Sequence, residues 1–280
     1  MRIDAHQHFW RYNPAHQVWM TDAMAMLRRD HLPEELQPLL RAAGFDGCIA
    51  VQARQMIEET EWLLQLADAH PFIKGVVGWV DLRSHALPAQ LERFAPHPAL
   101  VGVRHVVHDE PDDTFMLLPE FRRGISQLRA FDLAYDLLLH PRHLPVAVRL
   151  VREFPDQRFV LDHIAKPAMR EGLVSPWRED LERLAECPNV TCKLSGLVTE
   201  AHWGRWRPEE FHRYLDIVVA VFGPERLMIG SDWPVCTLSG DYVGTMSVVV
   251  DYLRRFPAHV REAVLGGTCA RVYGIPSSRS

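Results

Sequence analysis

Two histidines stand one residue apart near the start of the chain, His6 and His8 in RIDAHQHFW. Imidazole is a common ligand of divalent metals, and side chains at i and i+2 of a strand share a face with Cα atoms about 6.6 Å apart. With 15 histidines in 280 residues, chance alone supplies about 0.8 such pairs, so the spacing fits two polar residues satisfied at a strand end as well as it fits an ion site. Two further groups shift that balance. His163 follows the apolar run RFVLD, and Asp232 follows LMIGS just before Trp233 and Pro234. Three neutral imidazoles and one carboxylate suit a borderline divalent ion such as zinc, or manganese where one position stays open. A strand-end cap is the alternative role for Asp232.

Such residues must be brought together by the elements that carry them. Short β-rich runs occur at RIDAHQHF, FDGCIAVQA, IKGVVGWVDL, LVGVRHVV, LAYDLLLH, RFVLDHIAKP, VTCKLSGL and LMIGSDWP. Segments with helical spacing separate them. In HLPVAVRLVREF, Leu144, Ala147, Val148, Val151 and Phe154 share one stripe; in WREDLERLAE, Trp177, Leu181 and Leu184 do so. Eight strands, each followed by a helix, predict a (β/α)8 TIM barrel, one domain over residues 1–280. A doubly wound open sheet is the competing architecture. It usually carries a glycine-rich loop after the first strand, where this chain has HFWRYNPAHQVW without a glycine. The stretch REAVLGGTCARVYGI is expected to form a terminal helix packed on the barrel.

In a parallel barrel the functional groups gather at the C-terminal ends of the strands. Those ends offer His6 and His8, Gln52, Trp79 and Asp81, Arg104 and His105, Asp136 and His140, His163 and Lys166, Lys193 and Ser195, and Asp232 with Trp233. Lysine is scarce: of 31 basic residues only Lys74, Lys166 and Lys193 are lysine, which singles out Lys166 for substrate contact and Lys193 less strongly. Trp10, Trp79, Trp203 and Trp233 near strand ends suit the C–H faces of a sugar ring, with packing of the barrel rim as the plainer reading. Gln52, His105, Asp136 and Lys166 are candidates for hydroxyl binding.

HQHFW, LDHIAKP and IGSDWP, in this order on strands 1, 6 and 8, resemble the amidohydrolase superfamily, and within it the amidohydrolase 2 branch that includes sugar-acid lactonases of the fuconolactonase and rhamnonolactonase type. The resemblance spans nearly the whole chain. It implies a mononuclear metal position at His6, His8, His163 and Asp232, with Asp232 handling the proton of the attacking water. The bridging lysine or glutamate of binuclear members is replaced in strand 4 by VGVRHVV, which argues against two metals. The strand 5 histidine of many members corresponds to His140, which follows LLL and sits beyond the expected strand. Some lactonases of this branch work without metal, so one divalent ion, zinc by its donor set, is expected but dispensable.

The expected reaction is hydrolysis of a sugar lactone, with Asp232 as base and with His163 and Arg104 stabilising the tetrahedral oxyanion. Arg104 as a structural ion-pair partner is the other reading of that residue. A metal-dependent non-oxidative decarboxylase and a non-catalytic sugar-binding barrel are the rival functions. A net charge of −5 with no basic block argues against a nucleic-acid partner. The chain shows neither a charged leader before an apolar run nor an 18-residue apolar stretch, so no signal peptide and no membrane span are expected. Five scattered cysteines without a C-x-x-C fit reduced thiols and a cytoplasmic location. Oligomeric state is left open.

Overall fold

Each of the eight apolar runs forms a short strand in the computed structural model, which describes residues 1–276. The strands are β1 (Ile3–Gln7), β2 (Gly47–Val51), β3 (Ile73–Gly78), β4 (Leu100–His105), β5 (Ala134–Leu137), β6 (Phe159–Leu161), β7 (Val190–Leu194) and β8 (Leu227–Ile229). They pair in sequence order and all in parallel. Closure comes from just beyond β8: Asp232 N–H donates to His6 O at 2.8 Å and His8 N–H to Trp233 O at 2.7 Å. The architecture is the expected (β/α)8 barrel. Ser277–Ser280, the end of the expected domain, lie outside the described residues.

The surrounding helices are α1 (Pro33–Ala42), α2 (Ile57–Ala69), α3 (Leu87–Phe94), α4 (Pro119–Leu128), α5 (Leu144–Glu153), α6 (Trp177–Ala185), α7 (Leu197–Glu200), α8 (Glu209–Phe222) and α9 (Tyr242–Tyr252). Proline in the first turn starts α1, α3, α4 and α5, where its missing N–H costs nothing. The Asp241 carboxylate caps α9 by accepting from Gly244 N–H at 2.6 Å. No helix among the described residues is long and apolar enough to cross a membrane.

Strand residues divide between two apolar layers. Cys48, Val76, Tyr135, Phe159 and Leu227 pack outward against the helices. Ile3, Ala5, Ile49, Val51, Val77, Ala134, Val160 and Met228 fill the lower part of the barrel together with Cys269, Val272, Tyr273 and Ile275. The C-terminal stretch thus packs on the barrel as expected, in a helical run made of α10 (Ala258–Glu262), a five-residue π turn (Ala263–Gly267) and α11 (Thr268–Val272). The π turn lets the backbone at Gly266 pass against the start of β1, so close that an added Cβ would lie 2.3 Å from Met1 O.

Replacing Gly266 with alanine is therefore expected to destabilise the protein by about 1–3 kcal/mol, the range for forced overpacking. A urea titration measures it, and an unchanged midpoint would show that the two segments are not pressed together.

Candidate active site

The first strand carries two of the key imidazoles because its alternation is broken. Asp4 reaches Ser231 and Tyr242, while Gln7 contacts the outward-facing Cys48. Residues three apart would face opposite sides of a regular strand. The register of β1 against β2 shifts between Asp4 and Gln7, and this irregularity turns His6 and His8 to the barrel interior. His8 Nδ1 lies 2.8 Å from Val51 O. A carbonyl can only accept, so Nδ1 carries the proton and the Nε2 lone pair faces the barrel axis.

Past β6 the chain does something rarer. His163, Ile164, Ala165 and Lys166 all have φ between 48° and 61°, a left-handed turn built without glycine. Lys166 N–H donates to His163 O at 2.8 Å, and Trp177 Nε1–H donates to Ile164 O at 2.7 Å to pin the turn from α6. His163 Nδ1 lies 2.9 Å from Ser195 Oγ, and Gly196 stands so close that a Cβ there would fall 2.7 Å from the same nitrogen. One turn thus presents both His163 and Lys166 to the cavity above the barrel. Asp232 also has positive φ, at 58°. Strain of this kind persists where the surroundings over-determine the backbone, and it collects at functional sites.

The donor atoms converge. His6 Nε2 is 3.2 Å from His8 Nε2, and Asp232 Oδ1 is 3.3 Å from His8 Nε2, 3.8 Å from His6 Nε2 and 3.9 Å from His163 Nε2. A tetrahedral zinc with bonds near 2.1 Å needs ligand–ligand edges of about 3.4 Å, so His6, His8 and Asp232 fit three positions of such an ion, while His163 stands farther off and groups with His6 and Asp162. The outer nitrogens are held as such a site requires: His8 by Val51 O, His163 by Ser195 and His6 by Asp162, whose Oδ1 is 3.3 Å from His6 Nδ1.

Beneath this set lies a buried charge network. Arg104 Nη1 donates to Asp162 Oδ2 at 2.9 Å and stands 3.2 Å from His6 Nε2. Its Nη2 and Nε donate to Gln52 Oε1 at 2.8 and 3.1 Å. Lys193 Nζ lies 3.0 Å from Asp162 Oδ1 and 3.2 Å from His6 Nδ1. Burial drives the His6 and His163 imidazoles well below their ordinary value, against the pull of Asp162 and Asp232, so both are neutral donors. Burial would raise the Asp232 carboxyl, but His163, His8 and Lys166 around it outweigh that and hold it below its ordinary value.

A cavity of about 640 Å³ is lined by His8, His163 and Asp232, with His6 buried behind them. Trp10, Arg104 and Lys166 line it, Trp203 lines it too, and His140 reaches it from beyond β5. Gln52, Trp79, His105, Asp136 and Trp233 lie away from its wall. Gln52 is spent on Arg104. His105 follows Arg104 on β4, so it faces outward, stacks on Phe115 and pairs with Glu110 at 2.6 Å, with Trp79 Nε1–H directed at its Nδ1. Asp136 lies inside the barrel against Lys193, and Trp233 is buried against Phe9 and His31. Lys193 sits below the cavity rather than in it.

Three residues went unpredicted. Asp162 precedes His163, and strand alternation would send neighbours to opposite faces; the left-handed turn brings both inward. Glu200, at the end of α7, and His108, in a short turn after β4, line the cavity from segments that carry no motif. A separate groove of about 560 Å³ between α6 and α8 lies on the outer surface, remote from the strand ends.

Because Ala165 is buried with φ of 61°, its replacement by glycine should raise stability by up to about 1 kcal/mol. Loss of stability in a denaturant titration would show that the alanine methyl outweighs the backbone strain.

Residues 3–275 match the family model described as Amidohydrolase. The chain is 43% identical over 289 aligned positions to an L-fucono-1,5-lactonase of Burkholderia multivorans, covering 99% of this chain and 97% of that protein. It is 39% identical to an L-fucono-1,5-lactonase of Burkholderia ambifaria, with coverages of 98% and 96%. A crystal structure of a Burkholderia multivorans amidohydrolase with bound zinc superposes with a TM-score of 0.95 at 43% identity, over 99% of this chain and 100% of that one. The chain belongs to the amidohydrolase family.

Proposed function

We propose that this protein hydrolyses a 6-deoxy sugar lactone, an L-fucono-1,5-lactone or a close relative, to the open aldonic acid, with Asp232 taking the proton of the attacking water. The observation that carries the reading is the gathering of His6, His8 and His163 around the Asp232 carboxylate at the floor of a cavity large enough for a sugar ring, with His6 just behind the wall. The two curated relatives of the same name support it.

In this reading the water stands beside Asp232 Oδ1 and adds to the lactone carbonyl carbon while its proton passes to the carboxylate. Arg104 and His163 face the oxygen that becomes negative. The C–O bond to the ring oxygen then breaks, and Asp232 returns the proton to the departing alkoxide. Zinc held by His6, His8, His163 and Asp232 would supply Lewis acidity and a lower pKa for the bound water. Arg104, only 3.2 Å from His6 Nε2, is a fixed positive charge at the same centre and supports the view that the metal is not obligatory.

The cavity walls support the choice of a deoxy sugar. Trp19, Met24, Val235 and Leu238 form a small apolar cluster on the side of the β1 and β8 loops. His108, His140, Lys166 and Glu200 make the facing side polar. A ring with hydroxyls on one edge and a methyl group on the other matches both.

Asp232→Asn should lower kcat at least about a thousandfold on L-fucono-1,5-lactone, as followed by acid release with a pH indicator. Retained turnover would remove Asp232 from the chemistry, and carbon dioxide release from an aromatic acid would favour decarboxylation instead. L-Galactono-1,5-lactone, which differs by one hydroxyl where fucose has only methyl hydrogens, should show a kcat/KM about tenfold or more lower, because that hydroxyl would lose its water against an apolar wall.

The acid limb offers a further check. A carboxylate base with a lowered pKa is present above that pKa and lost as pH falls through it, here beneath the ordinary carboxylate value of 3.8. The two depressed imidazoles stay neutral over the same range. The kcat/KM profile should therefore be level from about pH 5 to 8, and a fall centred near 6.5 would assign the limb to an imidazole instead.

A further inference from the structure

We infer that the C-terminal segment, packed under the barrel at the end opposite the cavity, positions His6 and Arg104, and that Tyr273 is its positioning residue. The chain of contacts is continuous. Tyr273 OH donates to the Asp136 carboxylate, 2.9 Å from Oδ1 and 2.8 Å from Oδ2. Asp136 Oδ2 accepts from Lys193 Nζ at 2.5 Å. The same ammonium reaches Asp162 Oδ1 at 3.0 Å and His6 Nδ1 at 3.2 Å, and Asp162 Oδ2 accepts from Arg104 at 2.9 Å. Asp136, Asp162, Lys193 and His6 are fully buried, Tyr273 and Arg104 nearly so.

Two carboxylates and two cations balance in charge, so each member is oriented by its neighbours and cannot turn to water. A lysine has three rotatable donors on a flexible stem. Lys193 would be free to choose among its acceptors if Asp136 were not fixed, and Asp136 is fixed from below by one hydroxyl. Lys193 Nζ also stands 5.6 Å from the centre of the Tyr273 ring, within range of its face. The backbone makes a second, independent link. The π turn places Gly266 against Met1 O and the Arg2 and Ile3 backbone, at the start of the strand that carries His6 and His8. The segment therefore bears on His6 twice, through its strand and through its ring.

Tyr273→Phe removes the hydroxyl and keeps the apolar plug; Asp136→Asn keeps the shape and removes the charge. Two measurements do not depend on the proposed reaction: zinc affinity of metal-stripped protein by competition with a chromophoric chelator, and histidine ring nitrogen resonances in ¹⁵N-labelled protein. The expected result is zinc binding weaker by about threefold to tenfold in Tyr273→Phe and about tenfold to a hundredfold in Asp136→Asn, the scale for partners that orient a ligand. The His6 ring resonances should shift while those of His31 stay in place.

The third measurement rests on the lactonase reading: kcat on L-fucono-1,5-lactone should fall by a similar factor with KM unchanged. Zinc affinity and His6 resonances unaltered in folded Tyr273→Phe protein would overturn the inference, even if melting temperature fell, since Tyr273 would then be structural only. Should Asp136→Asn not fold, Tyr273→Phe decides alone. Shifted resonances without turnover by the parent protein would sink the lactonase reading and leave the positioning role intact.

Discussion

The closure of β1 on the segment after β8 is the constraint on which the site depends. Until Asp232 N–H meets His6 O and His8 N–H meets Trp233 O, the first and last thirds of the chain share no catalytic geometry. These two backbone bonds set the carboxylate of Asp232 against the imidazoles of His6 and His8. Asp4 reinforces the seam from outside: its carboxylate accepts from Ser231 Oγ at 2.6 Å and Tyr242 OH at 3.0 Å. Burial pushes the Asp4 carboxyl up to about 6, with the Ser231 hydrogen bonds opposing. Long-range strand pairing of this type is entropically late in folding, so the site forms only when the barrel is complete.

The buried charges beneath the site are costly and cannot be explained as a gain in stability. Moving a charged group out of water costs several kcal/mol even after relaxation, and apolar residues of similar volume often serve a core as well or better. What Asp136, Asp162, Lys193 and Arg104 provide is direction. Each cation is held by carboxylates that are themselves held, so the groups that touch His6 have little freedom of rotation. The upper barrel is polar and ordered, whereas the lower barrel is an apolar plug of the usual kind.

The fold was legible because a parallel barrel buries its strands on both faces, and such strands read as continuous apolar runs. The four principal ligand candidates were legible for a related reason: each lies at or just past the end of such a run. Legibility failed wherever local backbone departed from alternation. The left-handed turn at His163 hid Asp162, and the register shift in β1 is invisible in RIDAHQHF. It failed again where a polar residue at a strand end served another residue. Gln52 and Asp136 looked like hydroxyl binders, yet one is consumed by Arg104 and the other by Lys193 and Tyr273. The C-terminal helical stretch was legible, but its π turn, where Gly266 approaches Met1, has no signature in periodicity.

The protonation states of the site also constrain how the proposed reaction divides its labour. A carboxylate held below its ordinary pKa is a weak base, so Asp232 cannot drive deprotonation of water by basicity alone. The stabilisation must come mainly from charge placed where the oxyanion forms, in a cavity whose floor is already oriented. Asp232 is suited to the complementary task. Having accepted a proton reluctantly, it gives that proton up readily, and the alkoxide leaving the ring needs one. A stronger base at this position would retain the proton and slow ring opening. The surroundings that depress Asp232 thus tune the second half of the reaction at some expense to the first, and Arg104 is placed to offset that expense.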